Sequence, residues 1–316
     1  MASNSKIEWT DATWNPIVGC TKVSQGCKNC YAERMAYRLS HALGKVGDTI
    51  PDAWAAYSNV ITGKGWNGLT DIVPDALDKP LHWKKPRRVF VCSMGDLFHE
   101  TIPFNWIAKV WDRIANSPQH TFLILTKRPE RMREFMSEYG HFNYGLLPNV
   151  WLGVSVENQD WANIRVPILL QIPAIVRFVS AEPLLGYVNL TKIKIGDISY
   201  IDALKGFGYG EMIDGHKLHY PTINWVIAGG ESGNKARPMH PDWAVSIRDQ
   251  CMSAGVPFFF KQWGEWAPSH ALNCNLPDFK GKLWMNFDPD ISVCKIGRKK
   301  AGNKLDGKVY NEYPNA

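Results

Sequence analysis

"RRVFVCSMGDLFHE", residues 87–100, sets the pattern for the rest of the chain. Val89–Cys92 is a short continuous apolar run, β-branched and aromatic, of the kind that suits a strand covered on both faces. It stops abruptly at Ser93, Gly95 and Asp96, followed by His99 and Glu100. The same shape recurs down the chain. "HTFLILTKRPER" (120–131) ends its run at Thr126, Lys127 and Arg128, and "NVWLGVSVENQD" (149–160) ends at Ser155, Glu157 and Asn158. "IVRFVSAEPLLG" (175–186) ends at Ser180 and Glu182, and "INWVIAGGESGN" (223–234) at Gly229, Gly230, Glu231 and Ser232. "VPFFFKQWGEW" (256–266) ends at Lys261 and Gln262, with Trp263 beyond.

Helical periods lie between several of these runs. Phe104, Ile107, Ala108, Trp111, Ile114 and Ala115 follow one stripe, with Pro103 suited to a first turn. Residues 242–255 read as a helix from an Asp242 cap to a Gly255 stop, and Met35, Ala36, Leu39, Ala42 and Leu43 make a stripe after Cys30. Strand and helix alternate, which implies an α/β fold with a parallel sheet. About six such strands plus one ahead of the cysteines suit a full or partial (β/α) barrel. In such a barrel the polar strand ends converge on one mouth, where active sites sit. Residues 1–266 are expected to form the barrel, with aperiodic insertions at 44–79 and 190–222, and 267–316 a carboxyl-terminal extension. The extension carries a basic cluster: Lys295, Arg298, Lys299, Lys300 and Lys304.

With 45% apolar residues in 316, a large core can be buried. The amino terminus is short and polar, and no 18-residue apolar run exists. A cytoplasmic protein with no membrane association is expected. Seven cysteines, an odd number scattered over a long chain, do not make a secreted disulfide framework. The formal net charge of +6 fits an anionic partner such as a nucleic acid or nucleotide.

Three cysteines stand together in "GCTKVSQGCKNCYA" (19–32), at spacing C-x6-C-x2-C: Cys20, Cys27 and Cys30. Thiolates select zinc, copper(I) or iron–sulfur centres. A structural zinc would want a fourth ligand. Cys92 in a strand and Cys251 on an apolar helix stripe read as small core residues, whereas Cys274 and Cys294 stay open as candidates. On a [4Fe–4S] cluster, three thiolates leave one iron open to bind a small molecule. That is the logic by which radical-SAM enzymes hold S-adenosylmethionine.

The segments quoted above, with "WNPIVGCTKVSQGCKNCYAERMA" (14–36) and the closing "GRKKAGNKLDGKVYNEYP" (297–314), resemble the phage-associated three-Cys-motif proteins. These are radical-SAM-like and distantly similar to lyases that repair DNA photoproducts. The resemblance runs in order over nearly the whole chain. It implies a radical-SAM type of (β/α) barrel with a [4Fe–4S] cluster on Cys20, Cys27 and Cys30, and S-adenosylmethionine as cofactor. It also implies a flavodoxin- or ferredoxin-like electron donor and a dedicated partner protein. The sequence departs from the superfamily pattern in two places. The first cysteine gap is longer by three residues, and the glycine-rich "GGE" ends a late strand (Gly229, Gly230, Glu231) rather than the second. Ser93 and Asp96 occupy the early position and take the expected place at the amino group of the cofactor. Ser155, Glu157, Glu182, Gly229, Gly230 and Glu231 are the further expected cofactor contacts.

Lys127, Arg128, Lys261, Gln262 and Trp263 are expected at the substrate, the cations for phosphate or carboxylate and the indole for stacking on a base. The expected activity is radical modification or repair of a nucleic-acid base or nucleotide. The competing expectation is a zinc-stabilised nucleic-acid-binding protein without catalysis.

Overall fold

The computed structural model of the chain describes residues 5, 7–42, 52–209, 218–269 and 280–315. Seven strands form one parallel sheet in chain order: β1 (Ala12–Trp14), β2 (Arg88–Val91), β3 (Thr121–Thr126), β4 (Val150–Ser155), β5 (Val176–Ala181), β6 (Trp225–Gly229) and β7 (Phe258–Gln262). A doubly wound sheet reverses its order at an inner switch point. Here each strand neighbours the next of the seven, so successive crossovers run in one direction. That is the order of a partial (β/α) barrel, open between β1 and β7. Five helices accompany it: α1 (Tyr31–Ala42), α2 (Phe104–Ala115), α3 (Pro129–Phe135), α4 (Gln159–Gln171) and α5 (Pro241–Ala254). Among the described residues no helix is long and apolar enough to cross a membrane.

The chain divides into two compact units. The first comprises Met1–Val154, Gln171–Val176 and Ala316; the second comprises Ser155–Leu170 and Arg177–Asn315.

In the first unit, Trp14 pairs in register with Val91, Val89 with Phe122, and Phe122 with Val150. Phe122, Leu123 and Ile124 are fully buried, each worth about 1.5–3 kcal/mol of transfer free energy. This burial on both faces is why the strands read as unbroken apolar runs. Ile107, Val110, Trp111 and Ile114 form the buried stripe of α2, and the Trp111 and Phe98 rings pack on Phe135 of α3. The insertion expected to be aperiodic is folded where described, from residue 52. Asp71–Ile72 pairs antiparallel with Ile17–Val18, and Val18, Ala36, Ala56, Tyr57, Val60 and Val73 share a small core with Met94. Its residues 44–51 lie outside the described residues. In α1 the buried side is Ala32 and Ala36, while Met35 is 43% exposed and stands outside the stripe expected for it. Strand β2 ends one residue early, because Cys92 adopts φ +56 and turns the chain out of the sheet.

In the second unit, β6 pairs with β5 and β7, Val226 facing Val179 and Phe258. Helix α5 starts from His240 rather than Asp242; His240 Nδ1 accepts from Asp242 N, and Pro241 fills the first helical position, where its missing N–H is no loss. Gly255 ends it at φ +68, as the sequence implies. The insertion at 190–222 contains a three-stranded antiparallel sheet, Ile193–Lys194, Tyr200–Asp202 and Phe207–Tyr209; residues 210–217 lie outside the described residues. The extension forms a second small sheet of Trp266–Pro268, Ser292–Lys295 and Trp284–Asn286. It then returns along β7, where Phe260 N donates to Tyr310 O (2.9 Å), Glu312 N donates to Phe258 O (3.2 Å) and Trp225 Nε1 donates to Glu312 O (2.8 Å). An edge strand that would otherwise show free backbone groups is thereby covered.

Candidate functional site

In the first unit the cysteine loop begins where β1 gives way to Ile17–Val18. Gly19 has φ +90, and a Cβ there would lie 2.4 Å from the Leu69 carbonyl oxygen, so no other residue fits without displacement. Gly19 N donates to Met94 O (3.1 Å), and Gly19 and Gly95 form a parallel bridge. Tyr31, directly after the last cysteine, donates its hydroxyl to Ser93 O (2.7 Å), and Ser93 Oγ donates to Asn15 Oδ1 (3.2 Å). The segment Ser93–Asp96, expected at a cofactor amino group, is the platform on which the cysteine loop rests.

The three thiols are free of disulfides, and each sulfur has a polar neighbour. Cys30 immediately precedes α1, and its sulfur accepts from the backbone N–H groups of Ala32 and Glu33. Ser24 Oγ lies 3.7 Å from Cys27 Sγ, and Arg128 Nη1 donates to Cys20 Sγ at 3.7 Å. Burial, assisted by Asp96, pushes the Cys20 thiol up to about 12, against the pull of Arg128. Burial also raises Cys30, opposed by the Glu33 and Ala32 amides and by the charge of Lys127. Cys20 feels the charge of Cys30, and Cys30 that of Cys27, so Cys30 lies within electrostatic reach of both other thiols.

Arg128 is the hub of this cluster. Its Nη1 donates to Asp96 Oδ2 (3.1 Å), its Nε to Glu100 Oε2 (2.8 Å), and its Nη2 to the carbonyl and hydroxyl oxygens of Thr21. Asp96 also accepts from Thr126 Oγ1 (2.8 Å) and Phe98 N (3.0 Å). His99, fully buried, sits between the hydroxyls of Thr21 (3.0 Å) and Thr101 (2.9 Å). Lys127 and Arg128, expected at a substrate, thus lie where they act on the cysteine loop. The pattern missed Thr21 and Glu100. Both are polar residues in loops, and their only sequence signal was nearness to Cys20 and His99.

No three His, Cys, Asp or Glu side chains among the described residues are arranged to hold a single metal ion. A mononuclear zinc draws its thiolates to about 2.3 Å from one centre. A [4Fe–4S] cluster takes one thiolate per iron and needs them farther apart. Three thiols with Cys30 in electrostatic reach of the other two, and a polar neighbour at each sulfur, fit that second donor set. Cys92, Cys251 and Cys294 are buried core residues, and Cys274 lies outside the described residues.

The second unit gathers the remaining strand-end residues. Glu157 is 0% exposed and its partner Arg165, on α4, 1%; Arg165 Nη1 donates to Glu157 Oε2 (3.0 Å) and to the Ser155 carbonyl (2.8 Å), with its guanidinium over the Trp161 ring. Lys261 Nζ lies 3.2 Å from Glu182 Oε1. A Cβ at Gly229 would lie 2.8 Å from that oxygen, so the glycine leaves the carboxylate its room. Glu231 accepts from Arg237 through N (2.8 Å), Nε (3.0 Å) and Nη2 (2.6 Å). Gly230 N donates to Gln262 O (2.9 Å), and Gln262 Nε2 to Ser232 Oγ (2.9 Å). Gln262 Oε1 is buried with no hydrogen-bond partner among the described residues. Trp263 is 2% exposed, packs on Phe260 and donates Nε1 to Lys304 O (2.8 Å), so its ring anchors the extension. Arg165 and Arg237 were missed. The (i, i+4) spacing of Trp161 and Arg165 on one helix face was the available signal for the first.

Residues 4–314 match the family model described as "Protein of unknown function (DUF5131)". The chain belongs to the DUF5131 family. No curated protein matches it. Two solved structures do: a cysteine-to-serine mutant of spore photoproduct lyase, and spore photoproduct lyase complexed with dinucleoside spore photoproduct. Each has 9% identity and a TM-score of 0.41, covering 95% of this chain and 72% of that one.

Proposed function

We propose that this DUF5131 protein is a radical-SAM iron–sulfur enzyme that modifies or repairs a nucleic-acid base or nucleotide. The observation that carries the reading is the cysteine loop. Three free thiols, each with a polar neighbour at sulfur, adjoin the carboxyl-terminal end of β2. Cys20, Cys27 and Cys30 would hold a [4Fe–4S] cluster, which when bound supplies the electron that cleaves S-adenosylmethionine. Gly19, Tyr31 and Ser93 hold the loop on the strand end, and Arg128 braces it through Thr21 and Asp96. Arg128 and Lys127 place positive charge beside thiolates that burial alone would disfavour. In the second unit, Glu182, Lys261 and Gln262 offer a carboxylate, an ammonium and an open acceptor to a polar ligand. The nucleic-acid class rests on the sequence resemblance and the positive balance of the chain.

Anaerobic purification tests the reading. Expected are about four iron and four sulfide per chain, absorbance near 400 nm, and 5′-deoxyadenosine released from S-adenosylmethionine on reduction. Stoichiometric zinc without S-adenosylmethionine binding overturns it.

A further inference from the structure

The chain's positive charge is concentrated in one place. Residues 295–308 contain six Lys and Arg (Lys295, Arg298, Lys299, Lys300, Lys304, Lys308) against one carboxylate, Asp306. That is five of the net six positive charges. A basic run near a chain end is most often a solvated tail, with no fixed geometry. This one is built into the second unit. Trp263 N donates to Gly302 O (3.1 Å) and Trp263 Nε1 to Lys304 O. Leu305 is fully buried, and Lys304–Leu305 pairs with Lys308–Val309 in a hairpin. The hairpin turns at Asp306 (φ +49) and Gly307 (φ +75), the two left-handed residues that a tight Asp-Gly turn needs.

Lys299, Lys300, Lys304 and Lys308 on this pinned backbone are not spent on ion pairs among the described residues. Asp306 is taken by Arg248, so it does not neutralise the lysines beside it. Lys295 is committed to the Asn234 carbonyl and lies over Trp266. Arg298, Lys299, Lys300, Lys304 and Lys308 are exposed. Cations held at fixed spacing lose little freedom when they meet a regular array of anions. We propose that residues 298–308 are a docking surface for the phosphodiester backbone of a nucleic acid, independent of its sequence. A membrane surface fits less well. Peripheral membrane binding uses an amphipathic helix, and the only helix here, Arg298–Ala301, is one turn long. The inference deepens the proposed function, because it makes the substrate a polymer rather than a free nucleotide.

The test is fluorescence anisotropy with a labelled oligonucleotide of about 20 nucleotides, titrated at several salt concentrations. Wild-type protein binds, with an affinity that falls steeply as salt rises. The triple variant Lys299→Glu, Lys300→Glu, Lys304→Glu binds about 10- to 100-fold more weakly, and the slope of log affinity against log salt is shallower by about two to three. Its melting temperature and iron content match wild type, since all three side chains are exposed. Wild type failing to bind, the triple variant binding as wild type, or phosphatidylserine vesicles binding more tightly than the oligonucleotide would each overturn the proposal. Iron content and 5′-deoxyadenosine release without nucleic acid report separately on the enzyme. Oligonucleotide binding by iron-free protein would leave the surface standing even where the proposed chemistry fell.

Discussion

Replacing Arg128 by Met keeps the length of the side chain and removes its charge and donors. Asp96 is then left buried with its hydroxyl and amide donors from Thr126 and Phe98 but without a cation. Breaking a buried pair in this way costs about 3–5 kcal/mol, because the remaining charge stays desolvated. The second pair contributes little: Glu100 is largely exposed, and such a pair is worth about 0–1 kcal/mol. At about 2–4 °C per kcal/mol for a unit of this size, the transition of the first unit falls by about 6–20 °C in calorimetry. Adding Asp96→Asn neutralises the stranded carboxylate and restores at least half of the loss. The variant also frees Thr21 and Cys20 from their donor, so on the proposed function a chelator is expected to strip iron from the reconstituted variant faster than from reconstituted wild type. A transition within about 2 °C of wild type would refute the bracing role, as would a double variant that loses the two effects additively.

The Glu157–Arg165 pair gives a parallel expectation in the second unit, where Arg165→Met costs about 3–5 kcal/mol in chemical denaturation and Glu157→Gln on top recovers part of it. His120 is 1% exposed, and burial lowers its pKa below the usual histidine value of about 6.5, so the unfolded chain binds the proton more readily. Stability is therefore full above pH of about 6.5 and falls as pH drops below it; thermal melts of His120→Phe between pH of about 7 and 5 show a flatter slope, the residue of which belongs to His99, lowered by burial as well.

The sheet was legible because parallel strands covered on both faces must be apolar throughout, and residues such as Val89, Leu123 and Val226 announce that directly. Their polar ends were legible for the same reason, as the first residues free of the constraint. What each polar end touches was not. Asp96 meets Arg128, which is 32 residues away, and Glu182 meets Lys261, which is 79 away; neither separation leaves any local periodicity. The insertion from residue 52 looked aperiodic because its elements are two to eight residues long, too short for a helix or strand period to show. The start of α5 was misjudged by two residues because Asp242 is a good cap in isolation, whereas Pro241 in the first turn moves the cap back to His240.

The two ends of the cysteine loop are held by different parts of the first unit. Gly19 is tied to the Met94 carbonyl beside the first thiol, and Cys30 is seated on the first amides of α1. The six residues between Cys20 and Cys27 measure contour length along the chain. What a bound centre would feel is the chord between the two tethers, and that chord is set by β2 and α1. Residues added to or removed from the middle of the loop change how far it bows outward while leaving both tethers in place.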